Sequence, residues 1–136
     1  MILVDTGPLV ALLHADDSNH DSCREALRSI REPLATVWPV VTEAMYLLAF
    51  SWKAQNALWE MIEDELVSLL PLEAADASRM KVLMQKYRDL PMDFADATLV
   101  HLAQRESLAT VFTIDHDDFE TYRVGGRKRL RNLPSR

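Results

Sequence analysis

The chain has 136 residues, the usual size of one domain, and its 49% of hydrophobic residues is enough to form a core. Its single cysteine, Cys23, excludes an intramolecular disulfide framework, and no apolar run approaches the roughly 20 residues of a membrane helix. The formal net charge of −6 is not typical of a general nucleic-acid-binding protein. We therefore expect one domain over residues 1–136 that works in the cytoplasm, without a signal peptide or a membrane segment.

The charge is distributed unevenly along the chain. Residues 123–136 carry six basic residues and no acid, whereas residues 1–122 carry 9 basic and 21 acidic residues. If a nucleic acid is the substrate, it must approach an acidic body. Divalent metal ions and the basic terminal segment are the two features that could offset this charge.

The first thirteen residues combine a strand, an acid and a helix. The short apolar run 2–4 predicts a buried strand, and Asp5 follows it directly. Thr6 and Pro8 are typical of the first turn of a helix. Ligands bind at the carboxyl ends of the strands in an open α/β sheet, so Asp5 is a candidate ligand-binding residue. The alternative is that Asp5 only caps the helix.

The rest of the chain alternates between predicted helices and strands. In chain order they are a helix over residues 18–30, a strand over 34–38, helices over 40–50 and 52–66, a strand over 67–72, helices over 73–89 and 93–103, a strand over 109–114, and a short edge strand over 129–133. This order predicts an α/β fold in three layers, with helices on both faces of a central parallel sheet of four or five strands. Trp52 and Trp59 have helical spacing and are predicted to pack in the core or at an interface.

Four acids fall at the same predicted edge of the sheet. Asp5 and Asp115 follow strands, and Glu43 and Asp96 lie early in helices that begin at that edge. Four carboxylates in one pocket repel one another and need a cation, and an all-oxygen site favours Mg²⁺ or Mn²⁺ over zinc. A simpler interpretation stays open for two of them, because Asp93 and Asp96 also form a capping arrangement and Glu43 could be a surface acid near a helix start.

These segments resemble the PIN domain, and specifically the toxin component of VapBC-type toxin–antitoxin systems. The matching segments are Ile-Leu-Val-Asp-Thr (2–6), Val-Thr-Glu (41–43), Asp-Phe-Ala-Asp-Ala (93–97), Thr-Ile-Asp (113–115) and Asp-Phe (118–119). The resemblance implies a PIN-like α/β/α fold and a metal-dependent ribonuclease, with Mg²⁺ or Mn²⁺ as cofactor. It also implies an RNA substrate, a cognate antitoxin protein as partner, and a homodimer.

The resemblance also implies roles for individual residues. By position, the catalytic and metal-binding acids of the family correspond to Asp5, Glu43, Asp96 and Asp115. Asp5 is the expected central ligand, and Glu43 is expected to hold the metal through water or to orient the attacking water. Thr6 matches an accessory hydroxyl residue beside the first acid, and Asp117 is a nearby accessory acid.

The basic terminal segment is a weaker candidate for contact with RNA. Its candidate residues are Arg127, Lys128 and Arg129, although a solvated tail explains them equally well. Two alternative functions also stay open. The chain could be a PIN-like module that binds RNA or a protein without cleavage, or an RNA-processing nuclease that is not a toxin.

Two other enzyme classes with this type of sheet are disfavoured. A phosphatase of the haloacid-dehalogenase type needs a second aspartate two residues after the first, and Gly7 occupies that position. A response-regulator receiver needs an aspartate at the end of the third strand and a late lysine, but no lysine lies between Lys86 and Lys128.

Overall fold

The computed structural model describes residues 1–125 and 128–134. In chain order the elements are β1 (Ile2–Val4), α1 (Thr6–Leu13), α2 (His20–Ser29), β2 (Leu34–Thr36), α3 (Trp38–Leu47), α4 (Trp52–Glu63), β3 (Val67–Leu69), a 3₁₀ turn (Ala74–Asp76), α5 (Ala77–Lys86), α6 (Phe94–Arg105), β4 (Thr110–Phe112), α7 (His116–Thr121), β5 (Arg123–Val124), β6 (Lys128–Arg129) and β7 (Arg131–Leu133). None of the described helices is long and apolar enough to cross a membrane.

The central sheet has five parallel strands in the order β3-β2-β1-β4-β7. The predicted three-layer α/β/α fold is therefore confirmed, and the terminal edge strand is β7. Strand β1 lies in the middle, with β2 and β3 on one side and β4 and β7 on the other. The strand order reverses at β1, and open α/β sheets bind their ligands outside the carboxyl ends of the strands at such a point. Asp5 follows β1 at this position.

The core lies on both faces of β1 and around α6. All three residues of β1 are buried. Leu3 of β1 and Phe112 of the neighbouring strand β4 are fully inaccessible to solvent. Every residue of α6 from Ala95 to Ala103 is buried. Because α6 is enclosed along most of its length, its first turn is held firmly at the carboxyl edge of the sheet.

Several predicted boundaries are wrong by two or more residues, and two of them have a clear local reason. The strand predicted over residues 34–38 ends at Thr36, because α3 begins at Trp38 and Pro39 lies in its first turn, where a proline fits well. The helix predicted over residues 73–89 begins with the 3₁₀ turn, which Glu73 and Asp76 close by reciprocal side chain–backbone hydrogen bonds. Helix α5 then runs only from Ala77 to Lys86.

Partly buried hydrogen bonds from Asp76 tie this 3₁₀ turn to α6. Asp76 Oδ1 lies 2.7 Å from His101 Nε2, and its Oδ2 accepts a hydrogen bond of 3.1 Å from Arg105. The hydrogen bond with His101 is the main reason that the pKa of Asp76 is lowered to about 2. These contacts fix the second half of α6, and His101 is thereby given a structural role.

Large apolar side chains remain on the surface of α3 and α4. Trp52 is 69% exposed and Trp59 is 38% exposed, so the prediction that they pack in the core is wrong for Trp52. Tyr46 and Phe50 are also exposed. The place of Trp52 at an interface remains a prediction, because exposed apolar patches mark sites of interaction with other molecules.

Candidate active site

Asp5 occupies the carboxyl end of β1 and is only 5% exposed. Its Oδ1 accepts a hydrogen bond of 2.8 Å from the backbone N–H of Thr6, so Asp5 does cap α1. Its Oδ2 accepts a hydrogen bond of 2.9 Å from the hydroxyl of Thr113, which follows β4. The residue therefore caps a helix and also presents a carboxylate at the point where the strand order reverses.

The Thr113 hydroxyl connects two of the predicted acids. It donates to Asp5 and accepts a hydrogen bond of 2.9 Å from the backbone N–H of Asp115. Thr113 is fully buried, whereas Asp115 is exposed. Because one hydroxyl bonds to both residues, the loop after β4 is held at a fixed position beside the end of β1.

Gly7 allows this loop to approach α1 closely. A Cβ atom on Gly7 would lie 2.5 Å from Cγ1 of Ile114, well inside van der Waals contact. Ile114 stands between Thr113 and Asp115 in the chain. Any larger residue at position 7 would therefore have to displace the Ile114 side chain.

Helix α6 begins with two acids in different environments. Exposed Asp93 caps the helix and accepts a hydrogen bond of 2.8 Å from the backbone N–H of Asp96, as the capping interpretation predicted. Asp96 is only 6% exposed, and its Oδ2 accepts a hydrogen bond of 2.8 Å from the hydroxyl of Tyr122. Tyr122 is fully buried and packs edge-on against Tyr87 and Phe119, which fixes the direction of its hydroxyl.

Glu43 reaches the same region from α3. It is half-buried, and its pKa is raised first by burial and then by the charges of Asp93 and Asp115. The Thr6 hydroxyl interacts with the Glu43 carboxylate and lowers the pKa of Glu43. That hydroxyl is buried, yet it forms no hydrogen bond of ordinary length with any described residue. Thr6 therefore places a buried hydroxyl next to Glu43, where it can also contact a ligand or ion.

The two buried acids hold their protons unusually tightly. Burial raises the pKa of Asp5 to about 7, and the charges of Asp115 and Glu43 add to the increase. Burial also raises the pKa of Asp96 to about 8, with further contributions from the charges of Asp5 and Asp93. The carboxyl groups thus act on one another across one pocket, which we call the acid pocket and which contains Asp5, Glu43, Asp93, Asp96 and Asp115. A cation in this pocket would relieve both the repulsion and the cost of burying charge.

The structure brings together the four acids that the sequence nominated, Asp5, Glu43, Asp96 and Asp115. Asp117 is exposed in the first turn of α7, whereas Asp118 interacts with Asp115 and Asp93. Sequence reasoning gave Asp93 only a capping role and gave none to Thr113 and Tyr122. The hydroxyl of Thr113 two residues before Asp115 was a usable signal, but nothing in the sequence pattern connects Tyr122 with Asp96.

The donor set of the acid pocket fits a hard divalent cation. It consists of carboxylate oxygens and the buried hydroxyl of Thr6, with no sulfur or imidazole ligand assigned to it. Within residues 1–125 and 128–134, no three acidic, histidine or cysteine side chains already have the spacing of a metal site. Binding would therefore require the carboxylates to turn towards the ion, which the exposed Asp115 and half-buried Glu43 have room to do.

The predicted basic residues lie elsewhere. Lys128 and Arg129 are exposed on β6 and line a cavity of about 340 Å³ together with Gln104 and Ser107. This cavity is at the C-terminal end of α6, whereas Asp96 is in its first turn, on the order of 10 Å away along the helix axis. Arg127 lies outside the described residues.

The family of this chain follows from its match to a family model. The model of the PIN domain matches residues 2–125. The chain belongs to the PIN domain family.

Similar proteins extend this result. This PIN domain is 28% identical over 135 residues to ribonuclease VapC26 of Mycobacterium tuberculosis, and the alignment covers 98% of this chain and 100% of that protein. It also resembles the crystal structure of VapC20 of M. tuberculosis, a Sarcin-Ricin loop cleaving toxin, with a TM-score of 0.78 and 20% identity over 86% of this chain and 92% of that one. A toxin–antitoxin complex from Klebsiella pneumoniae is similar with a TM-score of 0.67 and 19% identity over 89% and 92% of the two chains. At these identities the two structures share the fold with this chain.

Proposed function

We propose that this PIN domain is a ribonuclease that depends on Mg²⁺ or Mn²⁺ and acts in the cytoplasm as the toxin of a toxin–antitoxin pair. The observation that carries the proposal is the acid pocket, in which carboxyl groups from four separate segments raise one another's pKa values near the point where the strand order reverses. The similarity to ribonuclease VapC26 along its whole length supports the same activity.

The residues of the acid pocket have distinct tasks in this proposal. Asp5 and Asp96 would hold the metal, with Asp115 completing the site and Glu43 orienting the attacking water. When bound, the divalent ion supplies neutralisation of the carboxylates and the Lewis acidity that activates water and the phosphodiester. Thr113 keeps Asp5 and Asp115 at a fixed separation, and Tyr122 keeps Asp96 facing Asp5.

In this proposal, burial of Asp5 and Asp96 makes RNA binding depend on whether the metal ion is bound. Without a cation, Asp5 and Asp96 tend to stay protonated near neutral pH, because burial opposes their ionisation. An RNA phosphate would then meet an acidic surface with no compensating charge. Loading with a divalent ion releases these protons and lets the pocket accept an anionic substrate.

Two protein partners also belong to the proposal. A toxin of this kind would bind a cognate antitoxin and form a homodimer, and the exposed apolar side chains of α3 and α4 provide a surface for such contacts. Leu47, Phe50 and Trp52 are the most suitable, because each exposes between 47% and 69% of its surface.

The activity can be tested directly with purified protein. Incubation with a mixture of unpaired and structured RNAs should give discrete fragments in Mg²⁺ or Mn²⁺ and none in EDTA. Binding of RNA without cleavage in any divalent ion would instead identify a binding module.

The toxin role has a separate test. Expression in bacteria should stop growth unless the product of a neighbouring gene is co-expressed. Harmless expression of a protein that cleaves RNA in vitro would identify a nuclease that is not a toxin.

Replacing Tyr122 with phenylalanine tests the role of the buried hydroxyl. Burial and the charge of Asp96 raise the pKa of Tyr122, so its hydroxyl stays protonated and remains a donor. Removal of this hydroxyl removes the one hydrogen bond described for the Asp96 side chain. We expect Mg²⁺ affinity and the cleavage rate to fall about tenfold, with a loss of about 1 kcal/mol in the free energy of unfolding. Isothermal titration, cleavage assays and urea unfolding measure the three quantities.

Tyr87→Phe is the matched control. The Tyr87 hydroxyl accepts a hydrogen bond of 3.0 Å from the backbone N–H of Arg123, and its ring packs against Tyr122, but no bond to an acid is described for it. This variant should lose similar stability and keep its metal affinity. Equal metal affinity in both variants would exclude the positioning role of Tyr122.

A further inference from the structure

A groove lined by aromatic side chains runs beside the acid pocket. It is lined by Trp38 and Tyr46 of α3 and by Phe94 of α6. Glu43 and Asp93 of the acid pocket also line it. We call it the aromatic groove. Its volume is about 670 Å³, within the roughly 300–1,000 Å³ typical of ligand sites. Tyr46 is 79% exposed, and Trp38 and Phe94 are each about half exposed, so their ring faces are accessible.

The walls of the groove are preformed by secondary structure. Trp38, Thr42 and Tyr46 are spaced four residues apart on α3, so they share one face of the helix. The Thr42 hydroxyl donates a hydrogen bond of 3.0 Å to the carbonyl of Trp38 in the first turn. The Trp38 ring also packs against Trp59 of α4, with 6.3 Å between ring centroids. An aromatic surface that is already ordered costs little conformational entropy when a flat ligand binds.

The groove and the acid pocket share residues. Glu43 and Asp93 line the groove, and the charge of Asp93 acts on both Glu43 and Asp96 of the pocket. A phosphodiester held at the acids would therefore have its neighbouring nucleotide beside the groove. No arginine or lysine is among the described residues that line it, so it offers nothing to a phosphate and an apolar face to a ring.

We propose that the aromatic groove binds the base of a nucleotide next to the cleaved phosphodiester, by stacking on Trp38 and Phe94. This inference rests on the proposed ribonuclease function. A base within a duplex is stacked on both faces and cannot lie against Trp38 or Phe94 without first leaving the helix. Stacking on aromatic side chains is tolerant of sequence, so the groove adds affinity for a base without selecting a particular one.

Binding to a series of short unpaired oligoribonucleotides tests the proposal without relying on cleavage. Each member of the series carries one abasic position, and the protein carries Asp5→Asn so that the RNA stays intact. Fluorescence anisotropy in Mg²⁺ gives the affinities. We expect one abasic position to weaken binding about tenfold, and Trp38→Ala or Phe94→Ala to weaken binding of the full oligonucleotide by the same factor. For the oligonucleotide abasic at that position, these two substitutions should have no further effect.

Leu66→Ala is the matched control, because Leu66 is an apolar side chain that is 63% exposed, does not line the groove and lies outside the surface proposed for protein contacts. It should leave every RNA affinity unchanged. The proposal is overturned if Trp38→Ala weakens binding of abasic and full oligonucleotides equally. It is also overturned if both groove variants alter only the oligomeric state in size-exclusion chromatography, which would make the groove a protein interface. Metal-dependent cleavage by the wild-type protein is measured separately, so a base-dependent affinity without cleavage would reject the nuclease function and retain the groove.

Discussion

Asp5→Asn should abolish RNA cleavage and at the same time stabilise the metal-free protein. Loss of a metal ligand removes several kcal/mol of transition-state stabilisation, so the rate should fall about a thousandfold or more. The pKa of Asp5 is raised from 3.8 to about 7, which means that its ionisation at pH 8 opposes folding. Asparagine carries no charge and still accepts the hydrogen bond from Thr6 through its carbonyl oxygen. We expect a gain of about 2 kcal/mol, seen as a rise of about 5 °C in Tm in EDTA.

Asp16→Asn provides the control for this substitution. Asp16 is exposed in the turn between α1 and α2, so its replacement should change neither the Tm nor cleavage. Cleavage by the Asp5→Asn variant at the wild-type rate would show that the first acid is not a metal ligand. A lower Tm in EDTA would show that Asp5 stabilises the empty pocket as a carboxylate, against the direction of its pKa.

The second large effect concerns pH. The free energy of unfolding of the metal-free protein should fall as the pH rises from about 4 to about 8. Asp5 and Asp96 have folded pKa values of about 7 and about 8, above the ordinary value of 3.8. Between these limits the folded state holds more protons than the unfolded chain, so the slope of stability against pH is negative. The contribution is complete below about pH 4 and is lost above about pH 8.

Asp76 acts in the opposite direction over a lower range. Its pKa is lowered to about 2, chiefly by the hydrogen bond with His101, so its contribution is present above about pH 4 and is lost below that value. The two effects together should give the metal-free protein its greatest stability near pH 4 to 5. Mg²⁺ should stabilise the protein more at pH 8 than at pH 5, because the ion competes with protons for the same carboxylates.

Thermal unfolding from pH 2 to pH 9, in EDTA and in Mg²⁺, measures the effect of Asp76 and that of the two buried acids. The two melting curves should separate as the pH rises, and Asp5→Asn should flatten the curve in EDTA. If the stability in EDTA rises between pH 5 and pH 8, the buried carboxyls do not carry the repulsion described here. If Mg²⁺ has the same effect at both pH values, the ion binds outside the acid pocket.

The fold could be predicted from the sequence because its signals are local and repeated. Apolar runs of three to six residues alternate with stretches of helical periodicity, and this alternation specifies a parallel sheet covered by helices. The same reasoning failed at the boundaries. Trp38 and Pro39 look like the end of a strand, yet Pro39 occupies the first turn of α3. Propensity alone does not distinguish the last residue of a strand from the first turn of the next helix.

The sequence by itself determined the layered architecture, the family resemblance and the four acids at one edge of the sheet, because strand ends and helix starts are marked in the local pattern. Only the tertiary structure decided which other groups meet those acids. Thr113 lies 108 residues from Asp5, and Tyr122 lies 26 residues from Asp96, yet each forms a hydrogen bond with its partner in the buried pocket. The tertiary structure also separates Lys128 and Arg129 from the acids, because it places them near the C-terminal end of α6. Local propensity does not specify contacts across such distances, since these depend on how whole elements pack.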